Sequence, residues 1–147
     1  MRTLVSELLD NKGGDVSTVA PETTVHRAVS RMLMAGIGSL VVEEEGRVVG
    51  IFTERDCARK VILEQRDPAS TSVREAMNAQ VVYVTPQSTV EFCLSRMTQT
   101  RSRHLVVIEH GRMVGLISIG DCTAHLIRET TQENRHLRDY IGGPYPA

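Results

Sequence analysis

The sequence repeats itself at a constant offset of 65 positions, so that residues 19–60 align with residues 84–125 without a gap. Identical pairs include Val19 with Val84, Pro21 with Pro86, Thr24-Val25 with Thr89-Val90 and Ser30-Arg31-Met32 with Ser95-Arg96-Met97. They continue through Leu40-Val41-Val42 and Leu105-Val106-Val107, Gly46-Arg47 and Gly111-Arg112, and Val49-Gly50 and Val114-Gly115, to Asp56-Cys57 and Asp121-Cys122. A unit of this size has too little core to stand alone, so the two copies are expected to pack on each other as one pseudo-twofold body. A lead-in recurs as well, Val5-Ser-Glu-Leu-Leu9 matching Val73-Arg-Glu-Ala-Met77 at an offset of 68. The first copy therefore carries three more residues (68 minus 65) in its Asn11-Lys-Gly-Gly-Asp15 loop. Loops absorb such insertions at least cost.

Within each copy the pattern is the same. A short extended piece, Val16 to Ala20 or Val81 to Thr85, ends at a proline, which cannot continue a strand ladder. A helix is expected next, because Val25, Ala28, Val29, Met32 and Leu33 recur at helical spacing and Val90, Cys93, Leu94 and Met97 repeat the stripe. Thr23 or Thr24, and Ser88 or Thr89, cap those helices. Two apolar runs follow, Leu40–Val42 and Val48–Phe52 around Glu45-Gly46, then Leu105–Ile108 and Met113–Ile117 around His110-Gly111, each predicting a hairpin. A closing helix starts at Thr53 or Ser118. The order is β-α-β-β-α, twice, an α/β (α+β) fold. The second closing helix is expected to run on through Leu126 and Ile127 towards Leu137, until Gly142-Gly-Pro-Tyr-Pro146 ends it, and this tail offers dimer contacts.

Composition removes several function classes. With 17 Lys plus Arg against 18 Asp plus Glu the net charge is -1, so the broad positive field of a nucleic-acid or anionic-membrane binder is absent. Aromatic residues make up 3% with no Trp, which removes a base-stacking platform. Cys57, Cys93 and Cys122 lie far apart with no His at ligand spacing, so neither a metal site nor a disulfide framework is expected. No apolar run approaches the ~18 residues of a membrane span, and a soluble, cytoplasmic protein is expected.

The sharpest constellation stands at matching points of both copies: Gly50-Ile-Phe-Thr53-Glu-Arg-Asp56 and Gly115-Leu-Ile-Ser118-Ile-Gly-Asp121. A capping box accounts for the hydroxyl and the acid three residues on. A strand end feeding a helix start also offers free amides to a phosphate, and a carboxylate there accepts two hydrogen bonds from the vicinal diol of a ribose. The two accounts are compatible.

The repeat, the element order and the paired Gly-x-x-[Thr/Ser]-x-x-Asp signatures resemble a CBS-domain pair, over roughly Val5 to Arg128. The expected units are a first CBS domain over residues 5–65, a second over 73–130, and a C-terminal helix extension and tail over 131–147. The resemblance implies a stand-alone regulatory module of the bacterial signal-transduction type. Its two clefts would bind an adenosine-containing ligand such as AMP, ADP, ATP or NAD(H), and it would modulate a partner protein rather than catalyse a reaction. It implies that Asp56 and Asp121 each hold ribose hydroxyls, that Thr53 and Ser118 bond sugar or phosphate, and that Ile51 and Leu116 wall the adenine. Ser17, Thr18, Val19, Val82 and Tyr83 would give contacts to the adenine edge, and a homodimer is expected. A ligand-free adaptor with the same fold is the alternative.

The copies differ where phosphate would lie. Gly36-Ile-Gly38-Ser39 in the first aligns with Arg101-Ser-Arg103-His104 in the second. The Asp56 cleft, with His104, Arg55 and Arg103, is therefore expected to favour a phosphorylated ligand, and the Asp121 cleft, facing Gly38 and Ser39, one with fewer charges. Other features take plainer readings: Met32, Met34 and Met97 as packing, Cys57 and Cys122 as small core residues, and Glu43-Glu44-Glu45 as a solvated hairpin tip.

Overall fold

The computed structural model describes residues 2–140. In chain order the elements are α1 (Val5–Lys12), β1 (Thr18–Val19), α2 (Val25–Ala35), β2 (Ser39–Glu44), β3 (Arg47–Thr53), α3 (Glu54–Cys57) continued by a π turn over Ala58–Ile62, α4 (Val73–Ala76), β4 (Tyr83–Val84), α5 (Val90–Thr100), β5 (His104–Glu109), β6 (Arg112–Ser118) and α6 (Ile119–Tyr140). Each copy forms a three-stranded sheet in the order β1-β2-β3 or β4-β5-β6. In each, the short strand runs parallel to the middle one and the hairpin is antiparallel. The order β-α-β-β-α is thus found twice, with a lead-in helix before each copy.

Local chemistry explains the boundaries. Thr24 and Thr89 cap α2 and α5, their hydroxyls accepting from Arg27 N at 3.3 Å and Phe92 N at 3.1 Å. Both hairpins turn through two left-handed residues, Glu45 and Gly46 (φ 52 and 77) and His110 and Gly111 (φ 53 and 75), the backbone that matches strand twist. The first strands are shorter than the expected Val16–Ala20 and Val81–Thr85. Thr23 N donates to Ala20 O at 3.1 Å and Ser88 N to Thr85 O at 3.0 Å, so the chain turns directly after each two-residue ladder. The helical stripe is also narrower than expected. Val25, Ala28 and Met32 are buried, but Leu33 is 72% and Met34 90% exposed, because one narrow sheet covers only part of the helix. Nor is the hairpin acid Glu44 simply solvated, since the Arg74 guanidinium pairs with it and, at 2.9 Å, with Glu22.

The lead-in helices set the architecture. Val73, Ala76 and Met77 of α4 and the residue after it lie in one core with Val19, Val25, Met32, Leu40 and Phe52 of the first copy. Val5 and Leu8 of α1 lie in the other, with Val84, Val90, Leu105 and Ile117 of the second. Each lead-in therefore closes the core of the copy from which it is separated by sequence or linker: α1 crosses to the second sheet and α4 turns back to the first. Their leading amides, which no helix bond satisfies, are taken by that same copy: Val5 N by Ser88 O (2.8 Å) and Ser6 N by Pro86 O (2.9 Å), Val73 N by Thr23 O (2.8 Å) and Arg74 N by Pro21 O (2.9 Å). The approach is close enough to require glycine in the facing strand. A methyl at Gly50 would stand 2.5 Å from Met77 Sδ and 3.0 Å from the Asn78 carbonyl, and one at Gly115 would stand 2.5 Å from Leu9 Cδ2.

No helix among the described residues is long and apolar enough to cross a membrane. α6 runs to Tyr140, whereas the Gly142–Pro146 stretch expected to end it lies outside the described residues.

Gly50→Ala is expected to destabilise the protein by about 1–3 kcal/mol. It should cost more than Gly115→Ala, because one of its clashes is with backbone, whereas Leu9 can rotate away. Urea denaturation of the two variants checks the order.

Candidate functional site

The antiparallel registers pair Ser39 with Thr53 and His104 with Ser118, so the exits of β3 and β6 sit beside the entries of β2 and β5. At the exit of β3 the sequence Thr53-Glu-Arg-Asp56 folds into a full capping box. Thr53 N and Thr53 Oγ1 donate to Asp56 Oδ2 at 2.9 and 3.0 Å, and Asp56 N donates to Thr53 Oγ1 at 3.1 Å. Among the described residues nothing donates to the other oxygen, Oδ1. The box fixes the carboxylate and leaves one acceptor over.

That carboxylate lines a cavity of about 350 Å³ between the copies. Its walls are Gly38, Ile51, Thr53, Glu54, Arg55, Asp56 and Arg59 from the first copy, Asn78 and Gln80 from the segment after α4, and Arg101, Ser102, Arg103 and His104 from the second. Four arginines and one histidine face two carboxylates, so the local balance is positive in a chain of net charge -1. Arg101 ends α5 in the left-handed region (φ 56), where α2 has Gly36. A bulky residue is held there at a cost of order 1 kcal/mol. Ser102 Oγ donates to the His104 carbonyl at 2.8 Å and fixes the turn that presents Arg103 and His104. Burial holds the His104 imidazole below its ordinary value, and the Lys12 cation pushes the same way; the Asp121 and Asp56 carboxylates and Arg103 are the remaining charges that act on it. Charged groups of both halves thus act on the ring.

Of the residues singled out from sequence, Ile51, Thr53, Arg55, Asp56, Arg103 and His104 meet in this cavity. Ser17, Thr18, Val19, Val82 and Tyr83 are not among its walls. The Ser17 and Val82 carbonyls accept from Val41 N (3.1 Å) and Val106 N (3.0 Å). Tyr83 instead borders a separate hollow with Arg47 and Arg112 near the hairpin tips. Ser39 opposite Thr53 is outside the cavity walls as well. Sequence reading missed Glu54, Arg59, Asn78 and Gln80, and it set Gly38 facing the Asp121 cleft, whereas Gly38 lines this cavity. Arg59 was legible as the residue one turn beyond Arg55, but Asn78 and Gln80 enter only because Asn78 bridges back to Ile51 across the linker.

In the second copy Ser118 and Asp121 form the same box, with Ser118 N and Oγ donating to Asp121 Oδ2 at 2.8 and 3.0 Å. Here the carboxylate has a further partner, the Lys12 ammonium, 2.7 Å from Oδ2 and 2.8 Å from the Leu116 carbonyl. Burial raises the Asp121 carboxyl, but the hydrogen bond from Lys12 and those from Ser118 outweigh it and hold the group below its ordinary value.

Comparison with known proteins supplies the family. The CBS domain profile matches residues 5–63 and 73–128. The chain belongs to the CBS domain family. It is 35% identical over 152 residues to the CBS domain-containing protein CBSX3, mitochondrial, of Arabidopsis thaliana, covering 97% of this chain and 74% of that one. It is 31% identical to CBS domain-containing protein YhcV of Bacillus subtilis, covering 80% of this chain and 83% of that one. A solved structure of a signal-transduction protein with CBS domains from Burkholderia ambifaria superposes with a TM-score of 0.82 at 40% identity, covering 86% of this chain and 95% of that one. The two CBS copies here are the two halves described above.

Burial holds the cysteines of the CBS pair in the protonated form. All three are free thiols, and Cys93 and Cys122 are fully buried. Burial pushes the Cys57 thiol up, Cys122 up to about 11 and Cys93 up to about 12. The protein keeps these two thiols protonated at pH values where the unfolded chain has ionised them, so their stability contribution is complete below about pH 9 and is lost as pH rises towards 11–12. Thermal melts between pH 8 and 11 should show this loss, and Cys93→Ala/Cys122→Ala should flatten it; Ellman titration of the native protein at pH 8 should leave both thiols unreacted.

Proposed function

We propose that this CBS pair is a regulatory module that binds an adenine nucleotide in the cavity between its halves. The single observation that carries the reading is the cavity's asymmetry of roles. Its walls hold a boxed carboxylate with an unused oxygen, suited to ribose hydroxyls, together with Arg55, Arg59, Arg101, Arg103 and His104, suited to phosphate. Ile51 and Thr53 line the same cavity. A phosphorylated ligand, AMP, ADP, ATP or NAD(H), fits that charge balance better than adenosine. The reading is one of binding rather than reaction: the ligand acts by favouring one arrangement of the two halves, and that difference is what a partner protein reads.

Self-association belongs to the same reading. Leu33 and Met34 on α2 and Phe92 on α5 leave apolar surface exposed on equivalent helices of the two copies, which supports a homodimer built on those helices. Light scattering at micromolar concentration should give twice the chain mass, and Met34→Glu should return it towards the monomer.

Titration calorimetry and thermal shift with AMP, ATP, NADH and adenosine test the ligand. A ligand bound only by the folded state stabilises it by RT ln(1 + [L]/Kd), about 2.7 kcal/mol at a hundredfold excess over Kd. Asp56→Ala should remove binding at this cavity, and His104→Ala should weaken AMP more than adenosine. Arg101→Gly should weaken AMP while leaving stability unchanged or raised, because glycine relieves the left-handed cap. No shift with any of the four compounds would favour an adaptor that uses the fold without a ligand.

A further inference from the structure

The three residues by which the copies differ in length change the chemistry of the second half. In the first half α4 stops at Ala76, and Asn78 then bridges to Ile51, with Asn78 N to Ile51 O at 2.9 Å and Ile51 N to Asn78 O at 3.0 Å. At the matching place α1 continues for another turn to Lys12, and Gly13, at φ 93, turns the chain away with its amide on Leu9 O at 2.7 Å. Gly14 then passes so close to β6 that a methyl there would stand 3.0 Å from the Val114 carbonyl. Helix and glycines together place Lys12, within the longer lead-in segment of the first copy, against β6. The Leu116 carbonyl, counterpart of the one Asn78 caps, accepts from the Lys12 ammonium at 2.8 Å, and the same ammonium bonds Asp121 Oδ2 at 2.7 Å. In the sequence alignment the cationic positions of the first cavity have no cationic counterparts: Arg101, Arg103 and His104 align with Gly36, Gly38 and Ser39, and Arg55 and Arg59 with Gly120 and Ala124.

We propose that Lys12 is a built-in occupant of the space in front of Asp121: its ammonium neutralises the carboxylate through Oδ2 and crowds a ribose off the free Oδ1, limiting the pair to one adenine nucleotide per chain. Lys12 is then the residue that sets stoichiometry, and the second cleft is a latent nucleoside site. The inference rests on the ribose role given above to the boxed aspartates. Because the second cleft has none of the first cavity's arginines, the ligand it would accept once opened is the uncharged nucleoside.

The test is calorimetric titration of adenosine and of AMP into the full chain as wild type, Lys12→Gln and Lys12→Arg. Lys12 is a partly exposed side chain, and matched circular dichroism melts confirm that the variants fold. Lys12→Gln removes the cation and keeps a polar side chain of similar length, and it should add one adenosine site that is tighter by about tenfold or more than any second site in wild type. Lys12→Arg, which keeps the cation, should add none, and Lys12→Gln/Asp121→Asn should lose the gain. A gain of less than tenfold, no gain, or weaker binding in Lys12→Gln overturns the proposal, whatever wild type binds. The first cavity is scored separately in Lys12→Gln/Asp56→Ala: a new site that persists there while wild type binds nothing would leave this inference standing and remove the reading of the Asp56 cavity.

Discussion

Neither half of this protein closes its own core with its own lead-in alone; the seating of α1 and α4 against the strands that carry Gly50 and Gly115 is the constraint on which everything else depends. A three-stranded sheet with one helix leaves Phe52 or Ile117 covered on one side only. The second cover comes from Val73, Ala76 and Met77 in one case and from Val5 and Leu8 in the other. The fit leaves no room for a Cβ in the facing strand. Replacing a fully buried side chain such as Phe52 by alanine in such a core costs about 3–5 kcal/mol, more than half the net stability of many domains.

This exchange also builds the cavity. Because α4 lies against β3, the residues after it are drawn across the exit of that strand, and Asn78 and Gln80 become walls beside Asp56. Because β5 enters next to the exit of β6, the turn over Arg101–Arg103 projects its guanidinium groups towards the first copy. A near-neutral chain thereby concentrates positive charge at one place without a basic surface. The left-handed Arg101 marks the cost of that arrangement, since a glycine in the same role ends α2.

Much of this was legible in the residues. The offset of 65 positions carries the repeat, and the Val and Ile runs around Glu45-Gly46 and His110-Gly111 carry the hairpins. The pairing of Thr53 with Asp56 and of Ser118 with Asp121 follows from spacing alone, since an N-cap hydroxyl and an acid three residues on meet in the first turn of any helix. The exchange of the lead-in helices was not legible. Periodicity says that Val5 and Leu8 share a face, and says nothing about which of two nearly identical sheets receives it. The same degeneracy hid Lys12, whose meeting with Asp121 spans 109 positions. Leu33 was over-assigned to the core because an apolar stripe reports what a helix could bury, not how wide the sheet beneath it is. The segments expected at the adenine edge form two-residue strands, shorter than the apolar runs suggested, and hydrogen bonds to the middle strands engage the Ser17 and Val82 carbonyls.

The exchange gives the two halves different histories on the ribosome. Everything the first core needs, from Val19 to Met77, is contiguous, so that core is complete in the chain once residue 77 has emerged. The helix made before it finds its first hydrogen-bond partners at Pro86 and Ser88, and the strand it packs on, β6 at Arg112–Ser118, comes later still. Domains generally fold as units and from the N-terminal side during synthesis, at about 5–20 residues per second. For several seconds, then, the growing chain holds one finished half and one apolar helix in waiting, and the arrival of the second sheet is what brings the start of the protein home.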